Sequence, residues 1–184
     1  MGPDSVVTVS GNKLSLHRCQ DSYNVESASF PSGFSSSSTT YDTDDMLQFN
    51  ILAESSSGLV VYYRSPDLGK IAKYSYSDSS QSLTLTENFD ATSFGTRLAY
   101  YPTQNVAFST ITTASTYGFA IVDTGYSVNV DISSYVSGGA DLTTLITDKR
   151  LYFANGRLYS IFGLSQNTQC SGGNSLMIAS IKQE

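Results

Sequence analysis

Apolar and polar residues alternate one for one along much of this chain, the period of a strand with one covered face. The clearest instance is Leu151-Tyr-Phe-Ala-Asn155-Gly156-Arg157-Leu-Tyr-Ser-Ile-Phe162. Asn-Gly between two such runs predicts a hairpin, because a type I′ turn needs φ > 0 at both central residues. With Asn155-Gly156 as a two-residue loop, Ala154 pairs with Arg157, Phe153 with Leu158 and Tyr152 with Tyr159. Leu151, Phe153, Leu158, Ser160 and Phe162 then share a core face. Tyr152, Ala154, Arg157, Tyr159 and Ile161 share the other, which is free to meet solvent, a ligand or another subunit.

The same pattern recurs along the chain. Residues 5–9 and 13–17 form an opening hairpin around Ser10-Gly11-Asn12. From Ser27 to Asp45 the alternation stops, and Ser35-Ser-Ser-Ser38 with Thr39-Thr40 reads as a loop that cannot pack a core. A strand follows at 46–53. Segments 59–63 and 70–76 flank Arg64-Ser-Pro-Asp-Leu-Gly69, where Pro66-Asp67 opens a turn and Gly69 supplies a left-handed exit. Residues 82–86 alternate as a half-buried strand. Hairpins follow at 97–101 with 106–111 and at 117–122 with 126–132. Asp141 is placed to cap a single helical turn, and 175–181 closes the chain.

About ten to twelve short strands at roughly 8–12-residue spacing predict an all-β fold, a single compact antiparallel β-barrel or sandwich. Three tyrosine-bearing hairpins echo one another as propeller blades do, but no fixed period of about 40 residues and no blade signature accompany them. The barrel or sandwich is therefore preferred to a propeller fragment. Met1-Gly-Pro-Asp-Ser5 reads as a vector or protease-site remnant, and 6–184 as one β domain excised from a longer polypeptide.

Composition sharpens this picture. Charged residues make up 14% of the chain, where about 25% is usual, and Ser plus Thr fill about a quarter of it. Thirteen Tyr, nine Phe and abundant Val, Ile and Thr favour strands. The net charge of −6 argues against nucleic acid and against anionic lipid. No apolar run approaches a membrane span and no signal peptide opens the chain. Cys19 and Cys170 form a candidate disulfide, with two free buried thiols as the alternative. None of the nine asparagines begins a glycosylation sequon.

Catalytic chemistry finds little support. His17 is the only histidine, and no nucleophile elbow accompanies it, so a Ser-His-Asp site is not expected. Cys19 lies two residues away without a third orienting group. No phosphate-binding glycine pattern and no zinc cluster occur, and neither cofactor nor metal is expected. Asp42-Thr-Asp44-Asp45 lacks the remaining ligands of an EF-hand loop and reads as a solvated acidic loop. A carboxylate pair for glycoside hydrolysis is the remaining enzymatic option, with Glu54, Glu87, Asp90, Asp123 and Asp131 at or near strand ends.

The positive signal is for binding. Tyr62, Tyr63, Tyr74, Tyr76, Tyr100, Tyr101, Tyr152 and Tyr159 cluster beside Arg64, Arg97 and Arg157. Tyrosine with arginine is enriched in interfaces, and flat rings also stack on sugars. Tyr152, Arg157 and Tyr159 form the first candidate site, and Tyr62, Tyr63, Arg64, Tyr100 and Tyr101 the second. Low charge combined with excess tyrosine predicts a homodimer.

An acidic, sequon-free, Ser/Thr/Tyr-rich all-β domain of this size resembles the receptor-binding projections of non-enveloped viruses. Within that group it is most similar to the capsid spike domain of an astrovirus. The resemblance implies a homodimeric spike on the virion surface that attaches to a host protein or glycan and is a target of antibodies. It carries over no individual residue. Phage tail-fibre tips, adhesins and carbohydrate-binding domains share this character, which would place the chain outside the cell or on its surface.

Overall fold

A computed structural model describes residues 5–10, 13–18, 25–31, 49–55, 58–65, 69–101 and 103–182. The fold is all-β. Among the described residues there are fourteen strands in four antiparallel sheets, and none of the sheets closes into a barrel. The chain groups into two compact units, Met1–Thr92 and Ser93–Glu184. No helix among the described residues is long and apolar enough to cross a membrane.

The first unit holds β1 (Ser5–Ser10), β2 (Lys13–Arg18) and β3 (Val25–Ser29) in one sheet. Its second sheet holds β4 (Phe49–Ser55), β5 (Gly58–Ser65), β6 (Lys70–Ser77) and β7 (Ser82–Asp90). Leu14 and Leu16 of β2 pack with Phe30 against Leu59, Val61 and Tyr63 of β5 and Tyr74 and Tyr76 of β6. Sequence reading missed β3, because Val25-Glu-Ser-Ala-Ser29 offers one exposed valine and an alanine to its alternation.

The second unit holds β8 (Phe94–Tyr101), β9 (Val106–Thr112), β10 (Tyr117–Ile121) and β11 (Ser127–Val130). Its other sheet comprises β12 (Ile146–Ala154), β13 (Arg157–Asn167) and β14 (Gly173–Lys182). Ala99, Phe108, Tyr117 and Phe119 meet Leu151, Leu158, Phe162 and Leu164 in its core. Helix α1 (Leu142–Leu145) adds Leu142 and Leu145. Asp141 caps it as expected, accepting from Thr143 N at 3.0 Å and Thr143 Oγ1 at 2.7 Å.

Every sheet is an up-and-down meander, with neighbours in space following one another in sequence. Their first strands start at Ser5, Phe49, Phe94 and Ile146, intervals of 44, 45 and 52 residues, close to the repeat length of blade-type architectures. The spacing is uneven, and that hides it from a search for a fixed period.

Burial also defines a titration. Tyr74 and Tyr117 are fully buried. Burial raises the Tyr74 phenol far above its ordinary value, and the neighbouring Tyr63 adds to this. Burial raises Tyr117 likewise, against the hydrogen bond from Ser160 and with the Asp148 carboxylate adding to the rise. A folded-state pKa above the unfolded one gives stability that is complete below about pH 10 and is lost as pH rises beyond it. Absorbance at 295 nm is expected to show a late group of phenols ionising together with unfolding. Ionisation of all thirteen tyrosines near pH 10 in a still-folded protein would contradict this.

Candidate functional site

The Asn155-Gly156 hairpin positions the strongest candidate. Both residues have positive φ, 50° and 69°, and the register pairs Ala154 with Arg157, Phe153 with Leu158 and Tyr152 with Tyr159. Leu158, Ser160, Phe162 and Leu164 are buried, so their alternates on β13, Arg157, Tyr159, Ile161 and Gly163, face away from the core. Across β14, Lys182, Ser180, Ile178 and Leu176 stand opposite these four and share their face.

On that outward face Tyr152 and Tyr159 stack across the strands, with centroids 5.5 Å apart and planes 15° from parallel. The Arg150 guanidinium lies 5.8 Å from the Tyr152 ring centre. Arg157 donates to Ser180 Oγ from Nε at 3.3 Å and from an Nη at 3.1 Å. Lys149 sits in the bulge of β12 between Asp148 and Arg150, and its side chain lies over Gly163. Leu176 and Ile178 remain 67% and 65% exposed.

Electrostatically this face is one-sided. In a chain of net charge −6, it gathers Lys149, Arg150, Arg157 and Lys182. The only carboxylate in the three strands, Asp148, pairs with Phe162 on the inward side and accepts from Thr110 Oγ1 at 2.5 Å. A hollow of about 240 Å³ lies beside Lys149, Gly163 and Asn174.

The second candidate set is dispersed. Tyr63 is buried and stacks on Phe30, centroids 4.7 Å apart, inside the first unit's core. Tyr62, on the other face of β5, is fully buried with the Lys73 ammonium 5.2 Å from its ring centre. Arg64 donates to Ala91 O at 3.2 Å. In the second unit Tyr101 packs on Phe153, and Tyr100 donates to Asn105 Oδ1 at 2.5 Å. These rings mostly hold strands together. The apolar run at Leu59–Tyr63 belongs to a strand covered on both faces, where alternation carries no inside and outside.

The carboxylates have local structural work. Asp90 accepts from Thr92 N at 3.1 Å and Oγ1 at 3.0 Å, and that backbone hydrogen bond, then the hydroxyl, holds its pKa below the usual range. Asp131 is lowered in the same way by Ser133 N at 2.9 Å. Asp123 accepts from Ala107 N at 2.9 Å. Glu87 is exposed opposite Lys73, and the Glu54 side chain lies outside the described set. A glycosidase acid needs a raised pKa, the opposite of Asp90 and Asp131.

Among the described residues no group of His, Cys, Asp and Glu could hold a metal ion. Cys170 is an exposed free thiol at the end of a 3-10 turn, Thr168–Cys170, while Cys19 and the acidic run at 42–45 lie outside the described residues. A wider groove of about 440 Å³ lies in the second unit between Asn129, Asp131, Ser137 and Leu142. It lacks a cation and an exposed ring, and sequence reading gave no hint of it. No protein-family model matches the chain, and no curated protein compared with it matches significantly in sequence.

Proposed function

We propose that this protein is a non-enzymatic attachment domain that recognises an acidic protein partner through the outward face of β12–β14. In the setting the sequence resemblance implies, that partner is a host-surface protein met by a virion projection. The observation that carries this reading is the charge asymmetry of the face. Four cations surround a stacked tyrosine pair and exposed Leu176 and Ile178, with no carboxylate among them in the described strands β12–β14. Arginine and tyrosine around exposed apolar side chains have the composition of an interface core, and uniform charge selects an oppositely charged surface. The hollow beside Lys149 can take one acidic side chain.

A protein partner fits better than a glycan. Tyr152 and Tyr159 spend one face of each ring on the other, so less flat surface is left for a sugar. Their edges and hydroxyls are offered instead. A second reading, a blade-repeat binding platform, is favoured by the four successive meanders and would use sheet faces in the same way.

Selection from a random dodecapeptide library tests the proposal. Peptides rich in Asp and Glu should be enriched, and the Arg157→Ala/Tyr159→Ala variant should bind them about 30-fold more weakly, a loss of about 2 kcal/mol. Folding stability should change by less than about 1.5 kcal/mol, since the losses, the Tyr152–Tyr159 stack and the Arg157–Ser180 hydrogen bonds, lie on an outward face. Selection of neutral or basic peptides, or tighter binding to heparin fragments than to any peptide, would overturn the reading.

A further inference from the structure

The free edge of the last sheet carries an inference beyond this face. Among the described residues β14 pairs only with β13 and forms the sheet's border. At ten residues it is the longest edge strand among those described. Edge strands are usually blunted by charge, proline, bulges or shortness, because their unpaired N–H and C=O groups template further pairing. Three other edges follow that rule: β11 has four residues, β7 carries Glu87 and Asp90, and β12 carries Asp148, Lys149 and Arg150, while β1, also uncharged, has only six residues. β14 reads Asn174-Ser-Leu-Met-Ile-Ala-Ser-Ile181 without charge or proline, and Lys182 stands only at its end.

Two sister sheets show what this position accommodates. In each, the third strand is flanked by a fourth: β7 beside β6, and β11 beside β10. β14 is the third strand of its own sheet and has no such neighbour among the described residues.

We infer that β14 pairs antiparallel with β14 of a second copy, joining two three-stranded sheets into one of six strands across a two-fold axis at Ile178. The sequence is self-complementary in that register. Ile178 meets its own counterpart, Leu176 lies opposite Ser180 of the second copy, and Asn174 lies opposite Lys182. The two most exposed aliphatic side chains of this face gain apolar neighbours near the axis, and the one charge in the strand meets an amide. Face-to-face pairing of the same sheets would instead press four cations against four. Edge pairing avoids that repulsion and leaves both tyrosine faces open on one side of the joined sheet.

Sedimentation velocity of the full chain at about 50 µM should give a dimer that dissociates on dilution. Leu176→Lys/Ile178→Lys places like charges at the axis on exposed positions. It should give a monomer at the same concentration with an unchanged fold by circular dichroism. Independently, Ile178→Cys in a Cys19→Ser/Cys170→Ser background should form a disulfide-linked dimer on mild oxidation, because directly opposed antiparallel residues have Cα atoms about 4.5–5.5 Å apart. A wild-type monomer, a double-lysine variant that stays dimeric, or an Ile178→Cys dimer that oxidation fails to link would each overturn the inference. These readouts measure assembly alone, so their failure is distinct from a failure of peptide recognition.

Discussion

Replacing Phe162 with alanine is expected to destabilise the second unit by about 3–5 kcal/mol, the range for a buried phenylalanine whose site cannot collapse. Phe162 is fully buried on β13, and its ring packs 4.4 Å from that of Tyr117, tilted by 42°. Tyr117 is anchored by a 2.7 Å hydrogen bond with Ser160, so it cannot swing freely into the void. Phe162→Leu retains most of the volume and should cost less than about 1.5 kcal/mol. Denaturant titrations of both variants check this. An alanine variant losing under about 1 kcal/mol would mean that the two sheets do not meet at Phe162.

Gly95→Ala is expected to be strongly destabilising although it adds only one methyl group. A Cβ at this position would lie within about 2 Å of both Thr110 Oγ1 and Asp148 Oδ2, far inside contact distance. Thr110 is buried and β-branched, and its hydroxyl is committed to Asp148, so neither oxygen can withdraw without breaking that hydrogen bond. Overpacking and loss of the Thr110–Asp148 hydrogen bond together should cost about 2–5 kcal/mol. Gly95→Ala/Asp148→Asn tests the cause: a smaller penalty in the double variant than the sum of the singles would show that the two positions are coupled. A tolerated Gly95→Ala, melting within about 2 °C of wild type, would refute the close approach.

Local chemistry made much of this fold legible. Asn155-Gly156 specified its turn, its register and the division of faces, since φ and side-chain parity follow from two residues and a period of two. Asp141 announced its cap for the same reason. What escaped was set by contacts distant in sequence. Nothing near Gly95 indicates that Thr110 and Asp148 will close on it. β5 and β9 are covered on both faces, so Tyr62, Tyr63 and the Val106–Thr112 strand could not be sorted into inside and outside. A single barrel or sandwich was the natural sum of so many hairpins, but the described strands pair only with sequence neighbours and leave four separate antiparallel sheets, none closed. Of the candidate site, Tyr152, Arg157 and Tyr159 were visible in the sequence. Lys149, Arg150, Leu176, Ile178 and Lys182 joined them only once β12 and β14 were laid beside β13.

The most direct test of the proposed recognition surface is charge reversal on that sheet. Arg150→Glu/Arg157→Glu leaves the buried face untouched and inverts the field over the Tyr152–Tyr159 pair. Calorimetry would compare the acidic dodecapeptide selected by the wild type with the same peptide carrying Lys in place of each Asp and Glu. Binding of the acidic peptide should fall by about 100-fold or more, and the lysine peptide should become the better ligand, because like charges across an interface cost several kcal/mol. A folded variant that still binds the acidic peptide with wild-type affinity would show that recognition does not occur on this face.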